Sequence, residues 1–225
     1  MISHIVGVGC SWIAGDEIDH PTAAPNTKEH RLYREQNCTL GQLANMLDVH
    51  SVDNFGISGG SLQSTQWEFA RWELNYFPRL QLTPADVLVV VGLTESSRTS
   101  WFTNNKKSRY MHSHWVHPGD TWEDFVKFHT VNANNEQVWA MNYWTTVNFF
   151  RGHCTRLGYK LCMFNVFPPA IRMPDIPQWN ARGFVHQKHA VEKDCLAPGH
   201  HANEKGSKFL AERLYKMCND AKILA

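Results

Sequence analysis

The run "DVLVVVGL", residues 86–93, constrains the fold of this chain more than any other stretch. It is continuously apolar after its Asp, rich in Val, and bounded upstream by "LTPAD". A strand with one wet face alternates polar and apolar residues, whereas a strand covered on both faces reads as an unbroken run. Three other stretches have the same character: residues 4–8, a weaker one around 50–54, and "YKLCMFNVF" at 159–167. Helical patterns lie between them. "CTLGQLANMLD" carries Leu40, Leu43 and Leu47 as one stripe, and "SLQSTQWEFARWELNYF" predicts a helix with Leu62, Trp67, Ala70 and Leu74 on its inner face. "EQVWAMNYWTTVNFFRGHCTRLG" has the length of a long helix closed by Gly158, and "NEKGSKFLAERLYKMCND" reads as a last helix turning Phe209, Leu210, Leu214 and Met217 inward. The order β-α-β-α-β-insert-α-β-loop-α predicts a three-layer α/β/α sandwich around a parallel, flavodoxin-like central sheet of four to five strands. In such sheets ligands bind beyond the carboxyl ends of the strands.

With 225 residues, one domain over 1–225 is the expectation, with irregular insertions at about 96–135 and 168–198. The formal net charge of +1, from 22 basic and 21 acidic side chains, supplies no field for nucleic acid or an anionic membrane. The amino-terminal residues lack the charged and apolar regions of a signal peptide, and no apolar run approaches the roughly 18 residues of a membrane span. A cytoplasmic location is expected. Cys10, Cys38, Cys154, Cys162, Cys195 and Cys218 are scattered without a CxxC pair, which reads as free thiols rather than a disulfide or zinc framework. "HSHWVH" sets His112, His114 and His117 close together with His129 following, but no acidic partner stands nearby, so no metal is expected. "GVGCSWIAG" does not complete GxGxxG, so no dinucleotide and no other cofactor is expected. Nine Trp is a high count. Trp101, Trp115 and Trp122 share the first insertion, where they form either a satellite hydrophobic cluster or a stacking surface for a flat-faced ligand such as a sugar.

Four segments fall where the strand-end rule places chemistry: "GCSWIAG", "NFGISGGS", "GLTESSR" and "APGHHANEKG". Ser11 is either a turn residue or a nucleophile, and a Ser hydroxyl is a poor nucleophile without an adjacent base. The Gly-rich turn around Gly56, Gly59 and Gly60 serves the backbone in either case and also lets N–H groups approach a ligand. His200 and His201 read as surface residues before a helix unless the other motifs act with them. Thr94 and Arg98 fit the first turn of a helix, and Arg98 also suits bidentate contact with an anionic or hydroxylated substrate. Cys10, beside Ser11, points the opposite way in a strand-end geometry and faces the core.

Taken in order, these blocks resemble the SGNH, or GDSL-like, hydrolases. "GCSWIAGDE" is similar to the first block, with Cys10 where the family usually has Asp; "NFGISGG" is similar to the second; "HHANEKGSKFLAERL" resembles the last. The order matches over nearly the whole chain. The compact chain and the GxSxxxGxE form also resemble SGNH-like proteins carried by bacterial viruses. The resemblance implies Ser11 as nucleophile, His201 as general base, and the N–H groups of Ser11 and Gly59 as oxyanion donors. It implies a serine esterase acting on an acyl ester, with an O-acetyl group on a sugar suggested by the Trp-rich insertion. Trp12, Arg98, Trp101, Trp115 and His200 are the candidate substrate contacts.

Two positions depart from the family pattern. Thr94 stands where the third block supplies an Asn donor, and Pro198 stands where the last block supplies the acid, three residues before the His. Asp194 is the nearest upstream acid and is the candidate to orient His201; a backbone carbonyl is the alternative. These departures keep open a catalytically weakened binding or accessory module for a glycan or protein partner, or an acyltransferase. The partner expected in the first reading is a small-molecule or glycan ester.

Overall fold

A computed structural model describes residues 1–102, 111–114, 135–174 and 176–224 of the chain. The central sheet has the strands β1 (His4–Gly9), β2 (Ser51–Gly56), β3 (Val87–Leu93) and β6 (Lys160–Asn165), in the order β2-β1-β3-β6, all parallel. This is the α/β/α sandwich with a parallel sheet that the apolar runs imply. Every residue of β1 and of β3 is buried, which is why neither alternates in polarity. Alternate side chains serve opposite layers. Ile5, Leu88 and Val90 join one core with Leu40, Leu43, Val185, Leu210 and Leu214. Val6, Val8, Val87, Val89 and Val91 join the other with Leu62, Phe69, Trp72, Val147 and Phe150. The first core is thus roofed by α3 (Thr39–Leu47), α6 (Ala181–Glu192) and α7 (Glu204–Asp220), and the second by α4 (Leu62–Asn75) and α5 (Glu136–Leu157).

Three local readings change. In α4, Trp67 and Leu74 are exposed and the buried residues are Leu62, Ser64, Thr65, Glu68, Phe69 and Trp72. The segment carries apolar side chains on more than one side, and the face with Phe69 and Trp72 wins because it fills the aromatic cluster with Phe77, Phe150 and Tyr159. The segment 168–198 is not irregular throughout, because it contains α6, whose N-cap Asn180 accepts from the Gly183 N–H. Only Ala181 and Val185 of that helix are buried, too few to mark an apolar stripe in the sequence. The segment 96–135 contains an antiparallel pair, β4 (Thr99–Phe102) and β5 (Met111–His114). Trp115, Trp122, His117 and His129 lie outside the described residues.

A further helix, α2 (Lys28–Asn37), has no counterpart in the apolar pattern, since His30 is its one buried residue. It is held by its cap and by a contact from its middle: Thr27 Oγ1 accepts from the His30 N–H at 3.2 Å, and Tyr33 donates to Glu204 Oε2 on α7 at 2.6 Å. Among the described residues no helix is long and apolar enough to cross a membrane.

Candidate active site

β1 ends at Gly9, and the chain enters a single helical turn, α1 (Ser11–Ala14), capped by Cys10. Cys10 is fully buried, so Ser11 is the residue turned to the end of the sheet. As the first residue of a helix, Ser11 has an N–H without an intrahelical acceptor. α1 sits directly on the neighbouring strand end, where a Cβ on Gly56 would collide with the backbone N of Ala14. Asn54 completes that seat by donating to Ile13 O at 2.8 Å and accepting from the Gly56 N–H at 3.0 Å. Gly56→Ala should therefore displace α1. We expect a loss of about 1–3 kcal/mol in chemical denaturation, the usual cost of overpacking a tight contact, together with weaker turnover.

After α1 the chain reverses. The Ser11 carbonyl accepts from the N–H groups of both Gly15 and Asp16, at 3.0 and 3.1 Å, with Gly15 at φ 74°. Glu17 follows at φ 66°, an uncommon conformation for a residue with a side chain, and buried Ile18 anchors the turn. Backbone held in this way is found where the surroundings over-determine it, often at functional sites.

The opposite wall comes from the other end of the chain. Residues 195–203 form a tight loop, closed by the Leu196–Ala202 bridge and by the Ala197 N–H donating to His201 O at 2.9 Å. Asn203 caps α7 immediately afterwards, accepting from the Gly206 N–H. This loop delivers His201 to Ser11: His201 Nε2 lies 2.9 Å from Ser11 Oγ. On the far side of the ring, His201 Nδ1 lies 2.9 Å from Glu17 Oε2, and the His201 backbone N–H reaches the same oxygen at 3.3 Å. A carboxylate only accepts, so in the neutral imidazole Nδ1 carries the proton and Nε2 is left to accept from the Ser11 hydroxyl. Gly199 makes room for this pair, since a Cβ there would collide with Oε1 of Glu17.

The acid beside His201 is therefore Glu17 and not Asp194. Asp194 is exposed and takes bonds from Asn203 Nδ2 through its backbone oxygen, at 3.1 Å, and its carboxylate, at 3.4 Å. The two acids line one cavity of about 600 Å³ behind the loop, but the hydrogen bond goes to Glu17. The signal lay in the quoted first block: six residues after Ser11, past the Gly15 reversal, Glu17 is brought back alongside its own nucleophile candidate.

Trp12 is also reassigned. It is 5% exposed and its ring lies 6.1 Å from that of His201, so it is a wall holding the imidazole and not an open stacking surface. Arg98 is buried, stands over the Phe167 ring at 5.1 Å, and reaches Gly60 O at 3.5 Å. It braces the turn that contains Gly59. That turn is pinned to β1 by the Ile57 N–H donating to Gly9 O at 2.9 Å, and Gly59 has φ 68°. Thr94, just beyond β3, is 3% exposed, and its Oγ1 has no hydrogen-bond partner among the described residues. A buried hydroxyl in that state is uncommon and calls for an explanation. His200 is exposed, at φ 67°, and stacks on His186. Of Trp101 the structure describes the backbone in β4, paired with His112; Trp115 is outside the described residues. Among the described residues no group of three or more His, Cys, Asp or Glu could hold a metal ion.

No protein-family model matches the sequence, and no curated protein matches it. Solved structures do match. A carbohydrate esterase family 2 enzyme with a carbohydrate binding domain, from Corynascus thermopiles (Myceliophthora fergusii), superposes with a TM-score of 0.51 at 15% identity, over 97% of this chain and 66% of that one. An acetyl xylan esterase from the rumen bacterium Butyrivibrio proteoclasticus gives 0.47 at 10% identity, over 100% and 66%. A member of the lipolytic G-D-S-L family from Veillonella parvula gives 0.40 at 10% identity, over 96% and 98%. At these identities the likeness is one of fold, and the chain spans about two thirds of the length of the two carbohydrate esterases.

Proposed function

We propose that this chain, whose fold is of the SGNH-like hydrolase type, is a serine esterase acting on acyl esters. The observation that carries the reading is the unbroken relay from Ser11 Oγ through the His201 ring to Glu17, with both hydrogen bonds at 2.9 Å. The three residues come from two ends of the chain, and turns of the simplest capping kind would not need them to meet.

In the proposed reaction His201 Nε2 takes the Ser11 proton as Oγ attacks the ester carbonyl carbon. The carbonyl oxygen gains the negative charge and is met by the N–H groups of Ser11 and Gly59 and by Thr94 Oγ1, whose unused bonding capacity fits that role. The carbon–oxygen bond to the alcohol then breaks, and the alcohol leaves with the proton now on Nε2. Water repeats the sequence on the acyl-enzyme, giving a carboxylic acid and free Ser11. Glu17 holds the ring in the tautomer that can accept from Ser11 and offsets the imidazolium charge as it forms. The fold shared with a carbohydrate esterase, and the Trp-bearing insertion, favour an O-acetylated sugar as the substrate class.

A fluorophosphonate probe tests the nucleophile directly. Intact-mass and peptide analysis should place one adduct on Ser11, and none should form on Ser11→Ala. Absence of label on the folded wild-type protein would remove the esterase reading and favour a binding module, the alternative that Thr94 in place of a longer amide donor suggests. Labelling together with acyl transfer to an added alcohol in preference to water would make the chain an acyltransferase.

A further inference from the structure

β1 and β2 end level with each other, since Gly9 and Gly56 are partners in the parallel register. The chain leaves β1 into α1 and leaves β2 into the turn of residues 57–60. The two proposed backbone donors, the N–H groups of Ser11 and Gly59, therefore stand on separate segments. An oxyanion hole works only if its donors converge, each about 2.7–3.1 Å from the point where charge develops. Backbone bonds tie the turn to the sheet: the Ile57 N–H donates to Gly9 O and the Gly60 N–H to Ile57 O, both at 2.9 Å. Neither bond reaches α1.

Asn54 does reach it. Its Oδ1 accepts from the Gly56 N–H at 3.0 Å, two residues on, which is the Asx bond that shapes a turn out of a strand. Its Nδ2 donates to Ile13 O at 2.8 Å and lies 3.7 Å from Cys38 Sγ. Ile13 O belongs to a helix of one turn, so no later helical N–H claims it. One amide thus holds the exit of β2 with its oxygen and the nucleophile turn with its nitrogen. Among side chains of this shape only an amide can do both: a carboxylate accepts only, and Leu does neither. Asn54 is half-buried and lines a cavity of about 210 Å³ with Ala14, Asp16, Gly56 and Ser58, outside both apolar cores.

We propose that Asn54 is a positioning residue that fixes the spacing between the Ser11 and Gly59 N–H groups, and with it the strength of the oxyanion hole, without touching the substrate. This rests on the serine-esterase reading and adds to it a residue that acts through both turns at once. Two variants take the amide apart. Asn54→Asp keeps the acceptor for the Gly56 N–H and loses the donor to Ile13 O, and Asn54→Leu loses both. Each is measured for turnover of 4-nitrophenyl acetate, for inhibition by phenylboronic acid, whose tetrahedral adduct on Ser11 Oγ places an oxygen among the same donors, and for melting temperature.

In both variants kcat should fall by about tenfold to a hundredfold, up to what the loss of one oxyanion donor costs, while KM hardly moves. Boronate affinity should fall by a similar factor. The pH profile of Asn54→Leu should keep the wild-type midpoint, because Asn54 touches neither His201 nor Glu17. A lowered melting temperature with kcat and boronate affinity intact would make Asn54 merely structural and overturn the proposal, as would a fall in kcat with boronate affinity retained. Asn54→Asp, which keeps the turn, decides the matter where Asn54→Leu does not fold. A wild-type protein inert toward both ester and boronate would end the esterase reading and this proposal with it, whereas an active wild type matched by its Asn54 variants would end this proposal alone.

Discussion

Ser11→Ala should lower kcat on an activated acetate ester by at least about 10⁴-fold, and His201→Ala should do the same. The argument is geometric. Ser11 Oγ and His201 Nε2 are within hydrogen-bond distance, so the hydroxyl is activated by that imidazole and each group is of little use without the other. The double variant should accordingly be no slower than either single variant. Additive losses would mean that the two act separately and that the relay is not the engine of the reaction. Structural collapse is not expected to mimic the result. Ser11 contributes one hydrogen bond, worth about 1 kcal/mol net, and the core beneath it is made by Cys10, Ile13 and their neighbours. Circular dichroism melts of the variants should therefore stay close to the wild type while activity disappears. Residual turnover above the uncatalysed rate is consistent with the reading, because oxyanion donors and binding still act without the nucleophile.

The parts of the site that were legible in the sequence are those fixed by strand ends. β1 and β3 announce themselves because burial on both faces leaves no polar alternation, and once their ends are known Ser11 and Thr94 follow. His201 was legible because it precedes a helix whose cap, Asn203, and first residues are written in the local sequence. The acid was not, because Glu17 closes the first block but nothing in the local sequence ties that position to His201. Glu17 is turned toward His201 by a left-handed backbone conformation, and the two residues stand 184 positions apart, so their pairing is a property of the fold. Trp12 misled for a related reason: a large aromatic next to a candidate nucleophile suits both a ligand platform and a core wall, and only packing separates them. In α4 Trp67 and Trp72 compete for the inner face, and Trp72 takes it because its aromatic partners Phe77 and Tyr159 come from other elements.

Glu17→Gln should cost on the order of 10⁴-fold in kcat while Asp194→Asn stays within about twofold of wild type, with KM moved little by either. The amide keeps the size of the carboxylate, so Gly199 still accommodates it and the fold is undisturbed. What changes is chemistry. A carboxylate can only accept, which fixes the proton on Nδ1; an amide can donate its N–H₂ to Nδ1 and so drives the proton to Nε2, where it can no longer receive one from Ser11. The imidazolium that forms during attack also loses its counter-charge. Asp194 offers no such control, since its bonds go to Asn203 on the outer side of the loop. Glu17→Asp separates the two effects: it keeps the charge but withdraws it by one methylene from a ring now 2.9 Å away. Its rate should fall between wild type and Glu17→Gln. A large loss in Asp194→Asn with Glu17→Gln unaffected would reverse the assignment and return the acid to the loop before His201.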